Sequence, residues 1–475
     1  MRVPGLEGLR PAYRRLAGAP DPLRLFERLY GSEPYGFLYE SLEERGGRGR
    51  FSFLGGRPIA TFRSKGRRIR VDHARGSGVA TGDPLTALRA FVRSGTDALP
   101  VATFPGGAVG YLGYDFARTI ASIGTCARDD QDLPEAVLLL PREVVVVDHL
   151  DEVVHLLVYT RRGARERLCE LERAALEAVP APDAWPSRVP GEHRAMASSN
   201  LDREAFCAAI GRAKRHILDG DAYQIVLSRR FEFEASMPPL RLYAAQRTTN
   251  PSPYMYYLAL DGLHLAGSSP EMLVKLSGRR LVARPLAGTR PRGLTAEEDE
   301  RIERELLTDP KERAEHVMLV DLARNDLGRV CRTGTVALDT AFAVERYARV
   351  MHLVSGVHGT LRDDRDAFDV LAATFPAGTV SGAPKLRAMQ IIETIEPVRR
   401  GPYAGAIGYF SFLGDLELCI AIRTVVVHAG RGWLQVGAGI VADSDPDREF
   451  DETWNKARAI LGAIELAQAP LAPRR

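Results

Sequence analysis

Four glutamates carry the chemistry that this sequence offers most openly. Glu312 and Glu315 stand three apart in Asp309-Pro310-Lys311-Glu312-Arg313-Ala314-Glu315, and Glu449 and Glu452 repeat the spacing in Asp445-Pro446-Asp447-Arg448-Glu449-Phe450-Asp451-Glu452. Residues three apart share a helical face, so each pair presents two hard oxygen ligands together. A few carboxylates, with the other positions left to water and an anionic substrate, suit Mg²⁺. A solvated acidic face is the alternative for any isolated Glu-x-x-Glu, since exposed helices are rich in carboxylates. The repetition of the device favours a Mg²⁺ site between two helices.

Both helices have marked beginnings. Asp309 and Asp445 can accept first-turn N–H groups, and Pro310 and Pro446 stand where a missing N–H costs nothing. Glu312, three residues after Asp309, predicts a capping box, and the apolar run at 317–320 predicts a later helix withdrawn from water. Lys456 lies one turn beyond Glu452 on the same side.

Three glycine-containing stretches are candidate anion binders. In Pro376-Ala377-Gly378-Thr379-Val380-Ser381-Gly382-Ala383-Pro384-Lys385, Ser381 is a good N-cap, but the spacing before Lys385 is not that of a phosphate-binding loop. Gly437-Ala438-Gly439-Ile440-Val441-Ala442 has a dinucleotide-like glycine pattern, yet Asp443-Ser444-Asp445-Pro446 delays the helix that such a motif must open, so the reading is amides facing a carboxylate instead. Gly401-Pro402-Tyr403-Ala404-Gly405-Ala406, taken alone, is a turn.

Composition bounds the rest. The chain has 475 residues, a formal charge of +3 and five cysteines without a Cys-x-x-Cys pair. The length allows two or three domains, the charge argues against nucleic acid, and the cysteines read as reduced and mostly buried. No apolar run is long enough for a membrane span and no signal-peptide core is present, so a cytoplasmic protein is expected. Strands are predicted at 136–140, 144–147 and 153–159, with a turn at 148–151, then a helix over 161–178. The Pro-rich stretch 180–200 reads as a linker between two units, 1–180 and 200–467, the second opening with a helix over 201–220.

Segments 285–293, 312–325, 350–354, 377–385, 401–412, 419–424 and 437–456 together resemble the chorismate-utilising enzymes. Within them the resemblance is to the large subunits of anthranilate synthases, which make anthranilate and pyruvate from chorismate and ammonia for tryptophan synthesis. Ala287 occupies a place where aminodeoxychorismate synthases carry a nucleophilic lysine, and alanine cannot form that bond. Gln224 occupies a place where isochorismate and salicylate synthases carry a lysine that activates water, and an amide has no useful basicity. Leu38-Tyr39-Glu40-Ser41 and Asn250-Pro251-Ser252-Pro253-Tyr254-Met255 resemble a tryptophan feedback site, with Tyr39 departing from the usual leucine.

The resemblance implies an α+β fold, two packed antiparallel sheets covered by helices, with 1–180 and 200–467 intertwined. It implies that Glu312, Glu315, Glu449 and Glu452 hold Mg²⁺, which binds the ring carboxylate of chorismate, and that Glu271 protonates the departing C4 hydroxyl while ammonia adds at C2. His352 matches the histidine of the second step, and Thr379 lies near the ring. Gln224, Tyr403, Arg423, Gly437, Ala438, Gly439 and Lys456 would bind substrate. Glu40, Ser41, Asn250, Pro251, Ser252, Tyr254, Met255 and Cys419 would bind tryptophan. A separate glutamine amidotransferase subunit is the implied ammonia source, in a heterotetramer, because no cysteine here lies in the glycine-flanked turn of such enzymes.

Each role has a plainer alternative. His352, among Met351, Leu353 and Val354, has the surroundings of a satisfied core histidine, and Tyr254 those of a packing residue. Arg423, in an apolar strand-like run, demands an anion. At the level of the whole chain the alternatives are an aminodeoxychorismate synthase, an enzyme serving both pathways, and a non-catalytic tryptophan-sensing subunit.

Overall fold

The computed structural model describes residues 9–42, 49–93, 104–178, 198–346 and 350–469. Among them, 22 strands join through antiparallel ladders into one hydrogen-bonded network, with ten α-helices packed against it. Its spine is the pair Phe51–Lys65 and Ala136–Asp148. One branch leaves the spine through Gly107–Leu112, Ala406–Ser411, Leu416–Ile420 and Met272–Ser277. The other leaves through Tyr35–Glu40, Tyr254–Leu260, Leu263–Ser269, Thr424–His428, Arg431–Ile440 and Gln224–Glu234.

The two branches face each other as packed sheets, because their strands are apolar on both faces. Along Tyr254–Leu260, Tyr256 and Leu258 pack into a core shared with Ile407 and Leu418 of the opposite branch. Met255, Tyr257 and Ala259, one residue out of phase, pack against Phe26, Leu242 and Ile460 of the covering helices Pro22–Tyr30, Pro239–Thr249 and Pro446–Gln468. The two-residue period of a strand sends alternate side chains to opposite sides, and here both sides are dry. The α+β fold with antiparallel sheets under helices is therefore the architecture present.

Local differences from the sequence expectations have physical causes. The strands predicted at 136–140 and 144–147 are one, Ala136–Asp148, which runs through Pro141. Pro141 stands opposite Pro58, where the register slips, so neither proline removes a bond that its neighbour offers. The turn at 149–152 precedes the strand Val153–Val158 as expected. The predicted helices run Ala164–Glu177 and Arg203–Leu218. Most of the predicted linker, residues 179–197, lies outside the described residues; on either side of it the chain shares ladders, Tyr35–Glu40 with Tyr254–Leu260 and Gly107–Leu112 with Ala406–Ser411. Of the cysteines only Cys331 and Cys419 are buried, while Cys126 and Cys169 are exposed.

Two crossings between the branches matter most for function. Leu263–Ser269 pairs with Thr424–His428 in one sheet, and Met272–Ser277 pairs with Leu416–Ile420 in the other. The chain therefore changes sheet at 270–271 and again at 421–423, and Glu271 and Arg423 fall at these adjacent crossings, with Ile420 N donating to Glu271 O at 3.0 Å.

Phe104 is fully buried between the branches, its ring 4.4 Å from that of Tyr409, 5.9 Å from Phe53 and 6.5 Å from Phe37. Phe104→Ala is expected to destabilise the fold by ~3–5 kcal/mol, the usual cost of an emptied aromatic site, read as a lower urea midpoint.

Candidate active site

Beside the two crossings lies a cavity of about 380 Å³. Its walls come from four places: the crossings supply Glu271 and Arg423, the free edge of Arg431–Ile440 supplies Gln435, Gly437 and Gly439, the turn Gly378–Val380 supplies Thr379, and two helix N-termini supply the acids. Gln224 and Tyr403 also line it.

The acids come from Pro310–Gly328 and Pro446–Gln468, whose starts are built as the sequence predicts. Asp309 accepts from Lys311 N at 2.9 Å and Glu312 N at 3.2 Å, and Asp445 accepts from Arg448 N at 2.9 Å. The capping box does not form. Asp309 N is already used at 2.9 Å by Glu305 O, closing the preceding helix, and Glu312 is drawn to Arg290 Nη1 at 2.8 Å. Of the run at 317–320, Leu319 and Val320 face inward while Val317 is exposed.

Glu312, Glu315, Glu449 and Glu452 all line the cavity. Burial pushes the Glu315 carboxyl up; a hydrogen bond from Gln224 Nε2 at 3.2 Å pulls it back, and Glu312 and Glu452 repel it further. Burial likewise raises Glu449, Ser444 offsets this, and Glu452 adds repulsion. Lys311 and Lys456 only partly relieve the crowding. Mutually repelling carboxylates from two helices on one cavity form a donor set that fits a hard divalent cation. As the side chains stand, the described residues contain no closed cluster of three such ligands.

The opposite wall carries a cationic side chain and a strand edge. Arg423 is not within a strand as its apolar neighbours suggest; it lies in the crossing, with φ of 49°, between Leu416–Ile420 and Thr424–His428. Lys456 Nζ reaches Gly437 O at 3.0 Å and pairs with Glu452 at 2.7 Å, so the edge of Arg431–Ile440 past the Leu434 pairing turns toward the cavity. A Cβ on Gly437 would meet Tyr403 Oη at 2.7 Å and the backbone Leu227 O at 2.8 Å, which makes that glycine a steric necessity, and one on Gly439 would meet the tip of Gln224 at 2.8 Å and displace it. The side chain of Ala438 points away into the apolar cluster with Phe206 and Ile225, which leaves only its backbone for a ligand. Burial pushes Tyr403 up to about 12, against the pull of Arg400.

Between these walls stands Glu271, 8% exposed, whose carboxyl burial pushes up to about 8, with Thr379 and Lys456 opposing. Thr379 Oγ1 is itself buried and has no well-formed hydrogen bond to the protein. His352 does not line the cavity directly. It stands behind Gly288, which does, with Nδ1 3.2 Å from Gly288 O, and burial with Arg423 nearby pushes it down to about 4, leaving it neutral.

Several participants escape sequence analysis. Lys311 lies between cap and first acid, where charge spacing could have found it. Gln435 donates to Ser228 Oγ at 2.8 Å, while its buried Oε1 has no protein partner; only tertiary structure shows this. Ser381 caps no helix, because Gly382–Ala383 pairs as a short strand with Gln224 and Ile225, and the helix Lys385–Ile395 begins after Pro384. Lys385 is spent on Asp326 at 2.6 Å and Thr374 O at 2.8 Å, in keeping with the rejection of a phosphate loop.

A second cavity of about 180 Å³ is lined by Tyr39, Glu40, Ser41, Tyr254, Met255 and Cys419, together with the rings of Phe51, Phe53, Tyr256 and Tyr409. Tyr39 Oη donates to Gly408 O at 3.1 Å, which holds its ring at the cavity. The Glu40 carboxylate is committed to Arg247, at 3.0 Å, and to the Tyr243 hydroxyl. Asn250, Pro251 and Ser252 lie in the adjoining segment rather than on the lining; Asn250 Nδ2 donates to Ala459 O at 3.0 Å and Ser252 O accepts from Leu42 N at 3.1 Å.

A family model described as chorismate binding enzyme matches residues 37–462. The chain is 45% identical to anthranilate synthase component 1 of Thermus thermophilus over 474 residues, which is 98% of this chain and 100% of that one. It is 43% identical to the component 1 of Acetivibrio thermocellus over 465 residues, 95% and 94% of the two chains. The crystal structure of anthranilate synthase component I from Streptococcus pneumoniae superposes with a TM-score of 0.77 at 36% identity, covering 87% of this chain and 92% of that one. The menaquinone-specific isochorismate synthase of Escherichia coli, at 22% identity and a TM-score of 0.69 over 96% of this chain and 95% of that one, shares the fold. With a cavity of paired acids facing cationic side chains and a match running from residue 37 to 462, the chain belongs to the family of chorismate-binding enzymes.

Proposed function

We propose that this chain is the chorismate-converting component of an anthranilate synthase, taking chorismate and ammonia to anthranilate and pyruvate in tryptophan synthesis. The observation that carries the reading is Glu271. A carboxyl pushed up to about 8 remains largely protonated near neutrality, so it can give a proton to a leaving hydroxyl. Ala287 supplies no nucleophile, which favours direct addition of ammonia over a covalent lysine route.

Arg423, Lys456, Tyr403 and the strand edge at Gly437 and Gly439 bind the substrate's carboxylates, the guanidinium fork meeting one of them with two hydrogen bonds. Glu312, Glu315, Glu449 and Glu452 would hold Mg²⁺, partly through water, which supplies charge neutralisation for the ring carboxylate. As the new C–N bond forms at C2 and the ring double bond shifts, Glu271 protonates the C4 hydroxyl, which departs as water. The C2 proton is lost as the enolpyruvyl group takes a proton and leaves as pyruvate and the ring becomes aromatic; His352, neutral because it is buried, backs the Gly288 wall of the cavity as a positioning residue. Gln224 fixes Glu315 and has no basicity with which to activate water.

The ammonia comes from glutamine on a separate amidotransferase subunit, paired with this chain in a cytoplasmic heterotetramer. The second cavity takes tryptophan as feedback inhibitor: its aromatic walls suit an indole.

The deciding experiment mixes the chain with chorismate, ammonium chloride and Mg²⁺ at mildly alkaline pH and identifies products by chromatography and mass. Anthranilate with pyruvate is expected, lost on chelation and restored by Mg²⁺. Accumulation of 4-amino-4-deoxychorismate would move the enzyme to the folate pathway, and no turnover would leave a non-catalytic subunit.

Glu271→Gln is expected to cut kcat by ~10²–10⁴, and in the parent kcat/KM at constant free ammonia falls above about pH 8 as Glu271 ionises. The stability sign follows from the raised value. Between the ordinary carboxyl range and about 8 the unfolded chain has released this proton while the folded one keeps it, so this group's contribution falls as pH rises through that window. The glutamine variant should lose that part of the slope in thermal unfolding. Tyr39→Leu should leave the uninhibited rate unchanged and shift the half-inhibitory tryptophan concentration by up to about tenfold, the scale of one aromatic contact.

A further inference from the structure

Gln435 lines the active-site cavity and is only 5% exposed. It belongs to the strand Arg431–Ile440, whose continuous register against Gln224–Glu234 puts residues 435, 437 and 439 on one face. Its Nε2 donates to Ser228 Oγ at 2.8 Å, and Ser228 Oγ donates in turn to Glu396 Oε1 at 2.8 Å. The serine has one hydroxyl hydrogen and gives it to a carboxylate, so towards Gln435 it can only accept. The amide is thereby oriented, with its nitrogen on Ser228 and its oxygen turned away. That oxygen is shut from bulk water and accepts no hydrogen bond from the described residues. A buried acceptor without a donor is costly, and a ligand that brings the donor gains what the protein lacks.

Chemistry and place both narrow the donor. Chorismate carries two carboxylates, an ether oxygen and one hydroxyl, at C4, and near neutrality only that hydroxyl can donate. A carboxylate facing the amide oxygen would be repelled. Gly439 marks the acidic end of the strand, because a Cβ there would meet Gln224 Nε2, which holds Glu315 at 3.2 Å. Gln435 stands four residues back, ~13 Å away at the usual strand rise, beyond Gly437 and its neighbour Tyr403. The C1 carboxylate and the C4 hydroxyl of chorismate occupy opposite ends of the ring. With the carboxylate at the helix-start acids, the hydroxyl points to the end of the cavity where Gln435 stands.

We infer that Gln435 Oε1 accepts the hydrogen of the C4 hydroxyl and so turns a lone pair of that oxygen toward Glu271. The inference rests on the reaction proposed above and adds to it a residue that orients the leaving group. Glu271 gives its proton to the C4 oxygen, the C4–O bond breaks with its electron pair leaving on the oxygen, and the departing water keeps one hydrogen on Gln435. The same contact selects for a hydroxyl at C4, since an analogue without it leaves the amide oxygen buried and unpaired.

The test is binding without turnover. Kd for chorismate and for its 4-deoxy analogue is measured by calorimetry with Mg²⁺ and no ammonium, for the parent and for Gln435→Met, which keeps the length of the side chain and removes the acceptor. The parent should hold chorismate about tenfold tighter than the analogue, the scale of one hydrogen bond. In the methionine variant the two should bind within about twofold of each other, through weaker binding of chorismate alone. Gln435→Asn, which draws the amide oxygen back by one carbon, carries the test if the thermal midpoint shows that methionine prevents folding. A parent that binds both compounds equally, a folded variant that keeps the full preference, or a parallel loss of both affinities would overturn the role of Gln435. A parent that makes no anthranilate once ammonium is added would sink the reaction itself, a result distinct from an active parent indifferent to the C4 hydroxyl.

Discussion

The cavity depends on one buried ion pair. The Arg400 guanidinium, 1% exposed, donates to Glu396 at 2.6 and 2.8 Å and spends its other donors on Val380 O and Val226 O, each at 2.7 Å. Glu396 in turn accepts from Ser228 N and Oγ, both at 2.8 Å. Burying two charges is costly unless they are well hydrogen-bonded, and here two of the guanidinium's four bonds go to Glu396 and two to backbone carbonyls of separate elements. The turn with Thr379, the strand that begins at Gln224, and Tyr403, whose ring lies 5.7 Å from Arg400, are thereby held at fixed distances. Asp115, from the N-terminal part of the chain, locks the next residue by accepting from Gly401 N at 2.9 Å.

Around this anchor the cavity is electrically divided. Helix starts bring four carboxylates to one side, with Lys456 beside Glu452 on the second helix, and a sheet crossing brings Arg423 to the other. Glu271 lies between the two, in the driest position, and so its carboxyl has the most strongly raised value of those facing the cavity. Position, rather than residue type, sets Glu271 apart from the four helix-start glutamates on the same cavity.

The crossings explain why a fold of plain antiparallel strands makes such a site. A strand within a sheet has its backbone groups paired and its side chains committed to two faces. Where the chain leaves one sheet for the other, at 270–271 and 421–423, side chains point into the gap between them, and Arg423 takes a positive φ to do so. Gly437 and Gly439 then let the strand edge approach Tyr403 and Gln224 closely.

What the sequence by itself determined is local or pairwise. The Asp-Pro helix starts, the three-residue spacing of the glutamate pairs and the alternating apolar strands follow from capping, helical pitch and pleat, all set by neighbours along the chain. Resemblance to the family added which distant residues to consider together, and of those assigned to catalysis, substrate and metal the structure brings all but Ala438 and His352 onto one cavity lining. Only the tertiary structure decided the rest. The failure of the capping box turned on Arg290, twenty-two positions away, and on the end of the preceding helix. The join of two predicted strands turned on a proline facing a proline across the spine. The Arg400–Glu396 anchor and the protonation of Glu271 had no sequence signal, because desolvation belongs to the packed surroundings of a residue and not to its place in the chain.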